Sequence, residues 1–321
     1  MGKLFSIGEI LIDFIPHEKG SALKDVVSFT RVPGGAPANV AVAVAKFGGT
    51  ASLITKLGED AFGDYLLEQL IKFGVETDKI SRTKEANTGL AFVSLREDGE
   101  RDFSFYRNPS ADLLLEDSEI DADWFNQGDF LHFCSVDLVK SPMKQAHIKA
   151  IQAAKMSGGI ISFDPNVRLA LWEDPQECRK TILGFLPMAH IVKISDEELE
   201  FVTGIADEQK AVRSLFTGDV LAVVLTKGAE GADIHVQHKK YSSMGYSVEV
   251  EDTTGAGDAF IGGFLYQLLD LHAQQADVEF LISEHHKEIL AFANASGALA
   301  TTGKGALSSL PTKEQVLQLM K

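Results

Sequence analysis

Val250-Glu251-Asp252-Thr253-Thr254-Gly255-Ala256-Gly257-Asp258-Ala259-Phe260 is the stretch from which the rest of the chain can be read. It has the form of a strand, a glycine turn and a helix running to about residue 270. Backbone N–H groups in the first turn of a helix lack intrahelical partners and carry the positive end of the helix dipole. Gly255, Ala256 and Gly257 are therefore placed to cradle a phosphoryl group, with little bulk to hold it off the backbone. Asp258 follows in the first turn, where a carboxylate can accept a proton from an attacking alcohol. The dipole is expected to keep that carboxylate ionised, with a low pKa; phosphoryl transfer needs orientation and late proton removal more than base strength. The plain alternative is a Gly-rich turn followed by an acid that merely favours a helix N-terminus. Further along, Gly262 and Gly263 each cost the helix about 1 kcal/mol relative to Ala, which points to close packing against another backbone.

Working outward from this turn, strand patterns at 4–12, 51–55, 129–134, 159–163, 191–194 and 220–225 alternate with helix patterns at 37–47, 61–73, 143–156 and 196–202. Such alternation predicts an α/β fold with a mainly parallel central sheet covered on both faces, and ligands at the C-terminal ends of its strands. Two segments break the rhythm. Residues 89–107 alternate in polarity and pivot on Glu97-Asp98-Gly99-Glu100, the signature of a β-hairpin, with Phe103 and Phe105 on one face of the return strand. The connection after the first strand is too long for a tight loop and carries Val26-Val27-Ser28-Phe29. Both read as parts of one small sheet, at about 14–33 and 88–108, inserted into a single domain spanning 1–321 and placed to act as a lid.

Three more motifs sit at expected strand ends. Arg31-Val32-Pro33-Gly34-Gly35-Ala36-Pro37-Ala38-Asn39-Val40 puts two glycines before a helix, and Asn39 offers the donor and acceptor a sugar hydroxyl needs. Asp13 follows the first apolar strand, where its carboxylate can accept from two hydroxyls. Ser162-Phe163-Asp164-Pro165-Asn166-Val167-Arg168 ends a strand with a guanidinium able to bridge an acceptor oxygen and the moving phosphoryl group. In Leu225-Thr226-Lys227-Gly228-Ala229-Glu230-Gly231 the glycines let nucleotide phosphate pass along the backbone. Taken singly, these are turns, a solvated loop acid and a structural arginine.

Composition removes other classes. Lys+Arg number 30 against 46 Asp+Glu, a net charge of −16 with no basic run, which repels nucleic acid and anionic membrane surfaces. The two cysteines, Cys134 and Cys178, lie in no disulfide or zinc spacing, and no segment has the length and apolarity of a membrane span or a signal core. A cytoplasmic protein whose mature form starts near Met1 is expected. Gly303-Lys304-Gly305 lacks the hydroxyl residue of a P-loop, and the first strand is followed by no Gly-x-Gly-x-x-Gly dinucleotide fingerprint, so an oxidoreductase is disfavoured. His132, His285 and His286 read as structural.

In chain order, these stretches closely resemble the ribokinase-like sugar kinases of the phosphofructokinase-B type. The 34–41 segment looks like the N-terminal signature of that family, and the 252–258 segment like the C-terminal one. Gly8-Glu9 with Leu11-Ile12-Asp13-Phe14, Phe105-Tyr106-Arg107 with Ser110-Ala111-Asp112, and Asp164-Pro165-Asn166-Val167-Arg168 with Leu171-Trp172 are most similar to fructokinases; 2-keto-3-deoxygluconate kinases share several of them. The resemblance implies a three-layer α/β/α domain with a β lid and ATP-dependent phosphorylation of a sugar hydroxyl. Asp258 would be the base and Gly255, Ala256 and Gly257 the anion hole. Asp13, Gly34, Gly35, Asn39, Arg107 and Arg168 would hold the sugar, while Lys193, Thr226, Gly228, Gly231 and Asn294 would lie on the nucleotide side. Ser195-Asp196-Glu197-Glu198 keeps the terminal acid of a magnesium-organising element, implying a water-mediated Mg2+ contact at Glu198. A monovalent cation, K+, is implied near Asp252, Thr254 and the Thr302-Gly303-Lys304-Gly305-Ala306 loop. Pairing of lids into a homodimer is implied as well. The competing readings are a ketodeoxygluconate kinase and, more distantly, a non-catalytic sugar sensor that binds without turnover.

Overall fold

In the computed structural model, residues 2–18, 20–95, 101–236 and 239–321 are described. The strands are β1 (Leu4–Ile7), β2 (Leu11–Pro16), β3 (Phe29–Gly34), β4 (Ala51–Gly58), β5 (Ile80–Thr83), β6 (Leu90–Leu95), β7 (Arg101–Tyr106), β8 (Phe130–Cys134), β9 (Ile160–Asp164), β10 (Ile191–Ser195), β11 (Ala222–Thr226), β12 (Ala232–Val236) and β13 (Lys239–Ser243). The large sheet runs β13-β12-β11-β10-β9-β8-β1-β4-β5 and is parallel except where β12 joins β11 and β13. A separate four-stranded sheet has the order β3-β2-β6-β7.

Side chains alternate across the large sheet as its pleat requires. One face contributes Leu4, Phe130, Ile160, Ile191, Ala222 and Val224 to a core shared with the helices Ala36–Lys46, Ala256–Asp270 and Val278–Ala300. The other contributes Phe5, Leu131, Ile161, Val192 and Val223 to a core with the helices Pro142–Met156, Pro175–Phe185 and Asp196–Thr203. On the first face each strand turns polar toward its C-terminal end: Ser6 after Leu4, His132 after Phe130, Ser162 and Asp164 after Ile160, Lys193 and Ser195 after Ile191, and Thr226 after Val224. That polar band positions the site. It lies where the chain has gone from β1 to β4 on one side and later adds β8 on the other, a switch point that opens a crevice at the strand ends.

Three expectations need correction. The apolar run 4–12 is not one strand: Gly8, at φ +144, breaks it, so β1 belongs to the large sheet and β2 to the small one. A Cβ at Gly8 would also lie 2.5 Å from Pro37 Cγ, so a side chain has no room there. Asp13 consequently sits within β2, opposite Val32 and Ala91, and not at the end of a main-sheet strand. No strand leads into the Gly255 turn; the chain arrives as an irregular segment tied by Glu251 and Asp252 N–H groups donating to Thr301 O. The hairpin strands β6 and β7 do pair antiparallel, with Leu90 opposite Tyr106, while their Asp-Gly turn and the Phe103 side chain lie outside the described residues.

Gly262 and Gly263 mark tight helix contacts, since added Cβ atoms would stand 2.6 Å from Ala43 Cβ and 2.8 Å from Ser296 Oγ. His132 is fully buried beside Ser162 Oγ at 3.1 Å, and burial pulls its pKa down to about 3, so it is neutral. Both cysteines are free and buried. Among the described residues, no helix is long and apolar enough to cross a membrane.

Candidate active site

The helix Ala256–Asp270 begins at Gly255, which takes φ +80, a left-handed conformation that glycine adopts without strain. Gly257 and Asp258 fall in the first turn, whose N–H groups have no partners within the helix. Ala256 is different: its N–H donates to Thr253 O at 3.2 Å, so that donor is spent inside the turn and is not free for an anion. Two cavities meet at this turn. The first, about 430 Å³, is bounded by Glu9, Asp13, Gly35, Asn39, Phe105, Arg168, Glu198, Gly255 and Asp258, among others. The second, about 460 Å³, is bounded by Thr226, Gly228, Gly231, Tyr246, Val248, Phe260 and Asn294, among others. Lys193, Ser195, Glu197, Thr253 and Gly257 wall both, so the turn stands between a polar cavity and a more apolar one.

Asp258 accepts a hydrogen bond from Asn39 Nδ2 at 2.7 Å. Burial raises its pKa above the usual aspartate value, and the Asn39 bond, Lys193 and Arg168 pull back without cancelling the rise. This reverses the low pKa expected from the helix dipole, because desolvation at the cavity floor outweighs one turn of backbone dipole. A carboxylate so placed is a stronger base than an exposed one.

Lys193, on β10, is held by Asp164, on β9, at 2.9 Å, with both side chains almost wholly buried. Burial pulls the ammonium down, but Asp164 and Glu198 outweigh it and lift Lys193 above the usual lysine value. Burial pushes Asp164 up to about 6 against the opposing pull of Lys193. Glu198 would rise by burial, but Lys193 and bonds from Val167 N–H (2.6 Å), Ser195 N–H (3.1 Å) and Ser195 Oγ (3.0 Å) hold it below its ordinary value and ionised. Ser195 thereby finds a role: it caps the helix Asp196–Thr203 and orients Glu198 in a reciprocal capping box.

Breaking the Lys193 pair should be costly. Lys193→Met leaves Asp164 buried beside Glu198, and unfolding by denaturant at pH 8 should show a loss of about 3–5 kcal/mol. At pH 6 the loss should be smaller, since an unpaired buried Asp164 has its folded-state pKa raised further and takes up a proton as the pH falls. Equal losses at both pH values would contradict the buried pair.

The other expected residues divide. Gly34 does not line the cavity but makes room for it: a Cβ there would lie 2.0 Å from Asp13 Oδ2. Arg168 is exposed at the rim, with Nη1 donating to Val167 O at 3.0 Å. Arg107 does not line the cavity; its guanidinium is buried and ion-paired to Asp112 and Asp137, because those acids take it before any ligand in the cavity. Asn294 borders the second cavity, although its Nδ2 is engaged by Ser243 O and Met244 O, each at 3.3 Å. Asp252 accepts from Thr254 N–H at 2.8 Å and Gly305 N–H at 3.3 Å, tying the two loops together. Sequence reading missed Glu9, the Asp164 partner of Lys193, and the Tyr246–Val248 wall of the second cavity. Glu9 and Asp164 lie in motifs already noted, as does Asn166, a non-glycine residue at φ +42; the Tyr246–Val248 wall lies in none.

Known proteins resemble this chain along its whole length. A chain from Arabidopsis thaliana described as "Probable fructokinase-4" is 42% identical over 320 residues, covering 99% of this chain and 96% of that one. "Fructokinase-2" of Solanum habrochaites is 42% identical over 322 residues, covering 100% and 96%. Among solved structures, the fructokinase of Xylella fastidiosa with bound ATP superposes with a TM-score of 0.90 at 35% identity, covering 99% and 98% of the two chains. The fructokinase of Vibrio cholerae O395 in its fructose, ADP and calcium ion bound form gives 0.88 at 35% identity, covering 100% and 99%. Residues 1–313 match the model of the pfkB family carbohydrate kinases, and the chain belongs to that family.

Proposed function

We propose that the chain is an ATP-dependent fructokinase that converts D-fructose to fructose 6-phosphate. The observation that carries this reading is the Gly255–Asp258 turn standing between two cavities, with the acid on the polar side. Asp258 accepts the proton of the attacking hydroxyl, steered by Asn39. Main-chain N–H groups of Gly255 and Gly257 face the developing charge on the transferred phosphoryl group, and Arg168 adds a cation at the rim. Asp13 and Asn39 orient the sugar, with Gly34 and Gly35 keeping its bed open. The nucleotide base takes the apolar cavity bordered by Thr226, Gly228, Gly231 and Asn294, while Lys193 lies toward its phosphates.

Glu198, ionised and facing the polar cavity, fits a water-mediated contact to Mg2+; the nucleotide phosphates would supply the ion's other ligands. The ion, when bound, neutralises charge on the phosphate oxygens. Asp252, bridging the 252–254 and 303–306 loops, fits a K+ site built from backbone carbonyls and Thr254. Residues 14–33 and 88–108 act as a lid on this single domain, excluding water that would otherwise take the phosphoryl group. Phe105 faces the sugar cavity from the lid. Phe14, Phe29, Phe92 and Tyr106 make an aromatic cluster on the same sheet, with Tyr106 63% exposed, and this supports a homodimer formed through the lid. Two free buried thiols fit the cytoplasm.

A sugar acid needs a cation for its carboxylate. Arg107 is already committed to Asp112 and Asp137, Arg168 at the rim is assigned to the phosphoryl group, and Asp13 faces the cavity, so a neutral sugar is favoured over 2-keto-3-deoxygluconate. An ADP-release assay over fructose, ribose, inositol and ketodeoxygluconate should give fructose the highest kcat/KM by about tenfold or more. A higher value for ketodeoxygluconate would replace the reading, and sugar binding without turnover would revive a sensor.

A further inference from the structure

The helix Ala36–Lys46 carries Asn39, yet it starts without a cap of its own: Gly35 makes no side-chain bond, and no acid lies in the first turn. The missing group comes from elsewhere in the chain. Glu9, 3% exposed in the link between β1 and β2, accepts Ala36 N–H through Oε1 at 3.0 Å. A carboxyl group there satisfies one orphan donor and meets the positive end of the dipole. Gly35 packs so closely on the same link that a Cβ would lie 2.5 Å from Glu9 O.

A second group acts on Glu9 through its charge. Arg107 follows directly on Tyr106, the last residue of β7, and its side chain is buried with Asp112 and Asp137. Gly8 closes the gap between the two: a Cβ on it would lie 3.2 Å from Asp137 Oδ2 as well as against Pro37. Glu9 therefore stands where the large sheet, the small sheet and the helix bearing Asn39 converge. Resting on the sugar-kinase reading above, we propose that Glu9 is a positioning residue for phosphoryl transfer: its carboxyl group fixes the start of the helix Ala36–Lys46 against the small sheet, so that Asn39 holds Asp258 toward the sugar.

Two further facts accord with this role. Burial and the Asp137 charge push Glu9 well above the ordinary carboxyl range despite Arg107, and the amide oxygen of a glutamine can accept the same Ala36 N–H. Glu9 Oε2 has no hydrogen-bond partner among the described residues, so it is Oε1 that ties the carboxyl group to the helix.

The test compares Glu9→Gln, which keeps the acceptor oxygen, with Glu9→Leu, which removes it at similar volume, and Glu9→Asp, which is one methylene too short. Steady-state kinetics with fructose and ATP are measured beside thermal melting. Leu and Asp should raise the sugar KM about fivefold or more and lower kcat, leaving the ATP KM within about twofold, whereas Gln stays within about threefold of the parent. A merely structural role would lower melting temperature and active fraction without this split. An unchanged sugar KM in a folded Leu or Asp variant, or equal losses for Gln and Asp, overturns the proposal. If the Leu variant does not fold, the Gln and Asp pair decides alone. A parent enzyme inactive on every sugar overturns the kinase reading, and this inference with it; an active parent with indifferent Glu9 variants overturns this inference only.

Discussion

Asp258→Asn should lower turnover by about 10³-fold or more while fructose and ATP still bind within a few-fold of the parent. The substitution keeps the size of the side chain and removes its ability to take a proton. The amide can still offer its oxygen to Asn39 Nδ2, which now bonds Asp258 Oδ2 at 2.7 Å, so the cavity should keep its shape. Binding measured by calorimetry therefore separates from turnover, as expected when the lost contribution operates only in the transition state. The parent should also show an acid limb in kcat/KM. The base works only when deprotonated, so activity falls as the pH drops through its pKa, and burial sets that pKa above the usual aspartate value. Asn39 stabilises the ionised form, so Asn39→Ala should move the limb to higher pH. Near-normal turnover in Asp258→Asn would remove the base assignment whatever the family.

How much of this could be read from the chain depends on the range of the interaction concerned. The strand–helix alternation and the 252–258 turn are local patterns, so the parallel sheet and the helix start at Ala256 follow from them. The run 4–12 is uniformly apolar because its two halves enter two different buried sheets; composition carries no sign of the break, and only Gly8 marks it. Asp258 is a sharper case. Its position in a first turn is visible in the sequence and suggests a lowered pKa, but the sign is set by desolvation from elements as far away as Asn39. Arg107 shows the same limit from the other side. A cation on a lid strand invites a ligand, and nothing in its neighbourhood tells that Asp137, thirty positions on, will claim it. The wall formed by Tyr246 and Val248 carries no motif at all; it is irregular chain made useful by what it packs beside.

The second large effect is expected at the neck between the cavities. Among the described residues outside its own helix, an added Cβ on Gly257 would meet only Lys193 within 4 Å, with Nζ at 3.2 Å, and Asp164 holds that ammonium in place. Gly257 also has no positive φ, unlike Gly255 at +80, so a side chain there costs no left-handed strain. Gly257→Val should fold, since its intrinsic helix cost is no higher, but with a lower melting temperature, because Lys193 Nζ must give way against its bond to Asp164. Its methyl groups would occupy the wall shared by both cavities and screen the first-turn N–H groups from the phosphoryl group. Removing access to such donors should cut turnover by about 10²–10³-fold. Each substrate should still bind alone, because the sugar side keeps Asp13 and Asn39 and the base side keeps its apolar wall. Gly255→Ala differs in cause: strain of about 1–2 kcal/mol at the left-handed position and a contact 3.1 Å from Ala306 Cβ should lower stability along with activity. If folded Gly257→Val instead turns over within about tenfold of the parent, phosphoryl transfer does not pass across this turn, and the two cavities do not serve one reaction.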